Sequence, residues 1–129
     1  MKLLIVVIAC LAIASAKITE EMMETLREYT AQCVEQEGIT KEQAFALRTG
    51  NYDDPDPKVK CYANCMMEKM GLMVDGQFKP DVALEKLGPV DGVDATKAML
   101  VKCGSIKGSD KCDTAYQHFQ CFHKNHSEL

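Results

Sequence analysis

The sequence predicts an all-α fold of six short helices stapled by three disulfides. Three observations carry this. Apolar residues recur at spacings of three and four in the segments that glycine and proline leave uninterrupted. Capping residues stand at the heads of those segments. The chain of 129 residues holds seven cysteines, and six of them lie beyond the first 16 positions. That is an even set in a chain whose modest core gains from covalent staples. No stretch alternates polar and apolar residues long enough to predict a strand.

Residues 1–16 read as a secretory signal peptide. Lys2 supplies a positive start, Leu3 to Ala14 is an apolar run, and Ala14-Ser15-Ala16 is a small-x-small cleavage site. A run of about 12 residues falls short of the roughly 20 that span a bilayer, so no stable membrane insertion is expected. The domain is then 17–129, without repeats or linkers, and destined for extracellular fluid where thiols oxidise. Cys10 leaves with the leader.

Thr19 is placed as N-cap of the first helix, with Glu20 and Glu21 on the positive end of its dipole. Met22, Leu26, Tyr29 and Cys33 share one face, and Gly38 stops it. Thr40 with Gln43 forms a capping box for a second helix. Ala44, Phe45 and Leu47 are its apolar side, and Gly50 ends it. Asp56-Pro57 opens a third helix as cap and first-turn proline, running to about Met70 before Gly71. Asp75-Gly76 is a turn. Pro80 opens a fourth helix, stopped by Gly88-Pro89. A fifth covers Val93 to about Lys102, ended by Gly104. Ser109-Asp110 caps a sixth, running to about Lys124.

Charge and motifs exclude several functions. Loss of Lys2 takes the net charge from −4 to −5, which disfavours nucleic acid, whose phosphates require a basic patch. No CxxC pair suggests zinc, and no metal or cofactor is expected. HExxH, GxSxG and nucleotide-binding loops are missing, and bridged cysteines leave no thiol nucleophile. The sequence therefore predicts a protein that is not an enzyme.

Cysteine spacing narrows the bridges. Cys61 and Cys65 project about 40° apart on one helical face, a poor geometry for bonding each other. Cys112 and Cys121 fall on opposite faces, about 13 Å apart along the axis. Of fifteen pairings open to six cysteines, those containing either link are disfavoured and the rest stay open.

The pattern Cys33-x27-Cys61-x3-Cys65-x37-Cys103-x8-Cys112-x8-Cys121 resembles the six-cysteine arrangement of the insect odorant-binding proteins, the pheromone-binding and general-odorant-binding family. Asp56-Pro57-Lys58-Val59-Lys60-Cys61 and Lys111-Cys112-Asp113-Thr114-Ala115-Tyr116 look most like the general odorant-binding proteins of flies. The resemblance implies the odorant-binding-protein fold, six helices around an apolar cavity. It implies the bridges Cys33–Cys65, Cys61–Cys112 and Cys103–Cys121. It also implies a secreted carrier for odorant, pheromone or lipid-like small molecules in a fluid such as sensillar lymph. An odorant receptor is a candidate partner, and the carrier is expected as a monomer or weak homodimer.

The interior should then hold adaptable apolar groups. Met66, Met67 and Met70 cluster at the end of the third helix, and methionine suits promiscuous surfaces. Leu72, Phe78, Leu84, Leu87, Met99, Phe119 and Phe122 are expected to complete the wall, with Tyr29 as a lining residue. Tyr29, Tyr62 or Tyr116 could offer polar anchoring. In an alcohol-binding fly member of the family, hydroxyl side chains stand two and seven residues after the third cysteine. Met67 and Leu72 occupy those places here, which implies selection by size and shape, with Met67 facing the ligand. His118, His123 and His126 read as surface histidines rather than a pH switch, and Asn125-His126-Ser127 is a glycosylation sequon.

Overall fold

A computed structural model describes the backbone of residues 2–126 and the side chains of 20–125. Six helices form: α1 (Lys2–Glu37), α2 (Lys41–Arg48), α3 (Pro57–Lys69), α4 (Pro80–Asp91), α5 (Val93–Cys103) and α6 (Lys111–His126). A hairpin of β1 (Met73–Val74) and β2 (Gln77–Phe78) lies between α3 and α4.

Local chemistry explains most boundaries. Gly38, at φ +68°, ends α1 and donates its N–H to the Val34 carbonyl. Thr40 accepts from the Gln43 N–H, and the Gln43 side chain accepts from the Thr40 N–H, so the capping box is complete. Asp56 accepts from the Lys58 N–H with Pro57 in the first turn. Asp110 accepts from the Asp113 N–H at the start of α6.

Three expectations are corrected, and one expected turn proves to join a short hairpin. Thr19 lies inside α1, because no glycine or proline between Lys2 and Glu37 interrupts the helix. A cap acts only where a helix begins. The fourth helix runs through Gly88-Pro89 to Asp91. Proline removes one N–H there, and only two helical residues follow before the Gly92 N–H closes on the Gly88 carbonyl. Asp75-Gly76 is a hairpin turn: both residues take positive φ (52° and 79°), as a two-residue type I′ connection requires. It pairs Met73 with Phe78 and Val74 with Gln77, strands too short to show alternation. Phe45 is 62% exposed, while Ala44 and Leu47 of the same helix are buried. Eight residues present one narrow stripe inward, and Phe45 lies off it.

The central helix is α3. Tyr62 to Met67 are buried without a break, the pattern of a helix packed on all sides. It lies against α1 and α6. Bridges Cys33–Cys65, Cys61–Cys112 and Cys103–Cys121 tie α1 to α3, α3 to α6 and α5 to α6. This is the pairing the resemblance implies. A Lys60–Asp113 ion pair at 3.1 Å lies beside the second bridge. Two apolar clusters follow. One joins Cys33, Ile39, Leu47, Val59, Tyr62 and Met66. The other joins Met67, Leu72, Met73, Ala83 and Ala115, with Phe78, Leu87 and Phe122 packed against it.

Candidate functional site

A cleft of about 370 Å³ opens between α1, the end of α3 and α4. Met22, Thr25, Leu26 and Tyr29 of α1 form one wall. Spacings of three and four residues along α1 bring them to one side. Met70 and Leu72 form the base, and Leu87 of α4 closes the opposite side. Leu72 is held by its N–H on the Met67 carbonyl and its carbonyl accepting from the Lys79 N–H, each at 2.8 Å. Among the described residues, Glu21 and Lys86 bring the only charges to the cleft, and the Lys86 ammonium donates to the Met70 carbonyl. The site is an apolar slot with polar groups at its edge, within the size range of small-molecule pockets.

Four of the sequence-expected lining residues meet in this cleft: Tyr29, Met70, Leu72 and Leu87. The others lie away from it, most of them in the packed interior. Met66 belongs to the first cluster, with Phe119 against it. Met67, 2% exposed, belongs to the second, together with Phe78 and Phe122. Met99 is buried on α5, and Leu84 is half-buried on α4. Met22, Leu26 and Lys86 line the cleft and were not among the expected residues. The signal for Met22 and Leu26 was the helical stripe Met22-Leu26-Tyr29, which continues to the buried Cys33; no pattern in the sequence marked Lys86. Among the tyrosines only Tyr29 faces the cleft. The Tyr116 hydroxyl donates to the Tyr52 carbonyl at 3.1 Å, and Tyr62 lines a different cavity.

His118 overturns the reading of surface histidines. It is fully buried, stacked on Phe78 with ring centroids 4.4 Å apart, and 5.7 Å from Phe122. Its Nε2 lies 2.9 Å from the Ile106 carbonyl. A carbonyl only accepts, so Nε2 carries the hydrogen and Nδ1 is a bare acceptor. Nδ1 is buried and has no hydrogen-bond partner among the described residues. Burial pushes the imidazole pKa below its ordinary value, partly offset by the Ile106 contact. His123 sits edge-on to Tyr52 at 6.1 Å, partly buried. The His126 side chain and Ser127 of the sequon lie outside the described residues. The Asn125 amide donates to the Cys121 carbonyl at 2.7 Å.

A second cavity, of about 470 Å³, lies between α1, α2 and α3 on another side of the molecule. Arg27, Thr30, Ala31, Val34 and Glu35 of α1 face Lys41, Ala44, Phe45 and Arg48 of α2 across it, with Tyr62 of α3 between them. Burial raises the Tyr62 phenol pKa, and the Thr30 hydroxyl and the Arg48 charge act against that shift. Among the described residues no cluster of three His, Cys, Asp or Glu could hold a metal ion, and no helix is long and apolar enough to cross a membrane.

Known proteins share this sequence and frame. General odorant-binding protein 56a of Drosophila melanogaster is 38% identical over 109 residues, covering 84% of this chain and 78% of the fly protein. Odorant-binding protein 10 of Aedes aegypti is 34% identical over 106 residues, covering 81% and 75%. Among solved structures, a fatty acid binding protein, OBP56a, from the oral disk of the blowfly Phormia regina superposes with a TM-score of 0.72. It is 42% identical and covers 85% of this chain and 96% of that one. The sequence model of the PBP/GOBP family matches residues 15–125. With its bridges, its six helices and its apolar cleft, the chain belongs to the PBP/GOBP family of odorant-binding proteins.

Proposed function

We propose that the protein carries one hydrophobic or fatty small molecule in the cleft between α1, α3 and α4, and moves it through extracellular fluid after a leader of residues 1–16 is removed. The observation that carries this reading is the cleft itself: apolar walls from three elements with charge only at the rim. Burying a ligand's apolar surface there supplies affinity at about 25 cal/mol per Å². The blowfly relative's fatty-acid ligands support a long apolar tail, with Lys86 at the rim. The residues behind the cleft, Met67, Phe78 and Phe122, form a wall that longer ligands would reach only by rearranging it. Removal of the leader would start α1 near Lys17 and return Thr19 to a capping position. The complex, in sensillar lymph or another secreted fluid, would be what an odorant receptor meets, with the carrier as a monomer or weak homodimer.

Displacement of a fluorescent apolar probe tests the site. Medium-chain alcohols and fatty acids should compete for it at roughly micromolar concentration, about −8 kcal/mol. Leu72→Ser should change the ranking of short against long ligands, because Leu72 touches the cleft. Met67→Ser should lower the melting temperature and weaken all ligands alike, because Met67 is core. Flat displacement curves from a folded protein would refute the carrier reading at this cleft.

A further inference from the structure

The groove between α1 and α2 has no part in the cleft and combines two unusual features. The first is charge. The protein is net acidic, yet three of the four charged residues around this groove are cations: Arg27, Lys41 and Arg48, against Glu35. Among the described residues, no carboxylate lies within ion-pair distance of any of the three. The second is an aromatic side chain facing water. Phe45 is 62% exposed and lines the groove beside Val34 and Ala44.

Topology arranges these features along an axis. The turn joining α1 to α2 occupies residues 38–40. Glu35 and Lys41 stand next to that turn, with opposite charges. Arg27 and Arg48 are the lining residues of each helix farthest from it. Positive charge therefore gathers toward one end, and an apolar floor runs to the other. Guanidinium forks match a carboxylate in shape and make charge-assisted hydrogen bonds to it. A cavity of about 470 Å³ is in the range that holds a small ligand.

We propose that this groove is a second ligand site, separate from the cleft, for a free single-chain amphiphile with an anionic head. Arg27 and Arg48 hold the head, such as the carboxylate of a fatty acid, and the tail lies along Val34, Phe45 and Tyr62. The cleft reading does not enter the argument, since the two cavities share no lining residue.

Titration of the oxidised protein from a secreting host with sodium dodecanoate, followed by calorimetry and native mass spectrometry, tests this. Two equivalents should bind. Dodecan-1-ol, with the same tail and no charge, should bind only one. Arg27→Gln/Arg48→Gln should weaken the second dodecanoate by roughly tenfold or more, leave the first equivalent unchanged, and leave the melting temperature unchanged, since both arginines are exposed. Backbone amide shifts at Ala31, Ala44 and Phe45 should follow the second equivalent, which should weaken with added salt. A single dodecanoate equivalent without shifts at those amides would overturn the proposal. So would an unchanged second equivalent in the double variant, or dodecan-1-ol filling the groove as well as dodecanoate does. Arginine-dependent binding to phosphatidylglycerol vesicles without a second dodecanoate would also overturn it, making the groove a membrane contact. Loss of the first equivalent alone would count against the cleft and leave the groove standing.

Discussion

A neutral imidazole enclosed at His118 ties stability to pH. Its folded-state pKa lies below the ordinary 6.5, with burial as the larger cause. Above that ordinary value neither the folded nor the unfolded chain binds the proton. As pH falls below it the unfolded chain takes up a proton that the folded chain refuses. Stability should therefore fall by up to about 1.4 kcal/mol per pH unit until the folded pKa is reached. Melting temperatures of the wild type and His118→Gln at pH 7.5 and 5 check this. The wild type should lose more than the variant, and equal losses would reject the assignment. The residue scale was only partly legible in the sequence. Thr40 with Gln43, Asp56 with Pro57, and Asp110 were readable because a cap acts on its own next turn. His118 and Phe45 were not: the first is enclosed by Phe78 and Ile106 from far along the chain, and the second lies off the narrow inward stripe of a helix only eight residues long.

At the scale of elements, the bridges divide the helices. They hold α1, α3, α5 and α6, whereas α4, like α2, carries none and packs chiefly against α5. Helices with fewer restraints open locally at lower cost. Amide hydrogen exchange should therefore be faster in α4 than in Tyr62–Met67 of α3, and a ligand in the cleft should slow it around Lys86 and Leu87. Equal protection of α3 and α4 in the empty protein would count against this account. The start of α4 was legible in Pro80. Its end was not, because Gly88-Pro89 looks like a stop on single-residue propensity, while burial of Gly88 and packing on α5 carry the helix one turn further. Asp75-Gly76 announced a turn. That the flanking pairs form a hairpin depended on Met73 being buried and on Lys79 continuing the ladder to Leu72.

For the whole molecule, bridge spacing sets how much each staple contributes. The linked cysteines are 32, 51 and 18 residues apart. Loop-closure entropy makes each bridge worth about 3–4 kcal/mol, the longest loop the most. Paired Cys→Ala variants in denaturant titrations should show Cys61–Cys112 costing more than Cys103–Cys121, and the reverse order would contradict the loop-length account. Helix count was legible because periodicity and caps repeat along the chain. The cleft was legible only in part: Met70, Leu72 and Leu87 look the same in sequence as Met66, Met67 and Phe122, and which of them meets a void depends on how α4 stands across from α1. The freedom of α4 from any bridge has an engineering consequence. Residues 72–91 can be exchanged as a cassette while the six cysteines keep their spacing partners. New ligand preferences could be screened by grafting that segment alone, onto a frame whose oxidative folding stays the same.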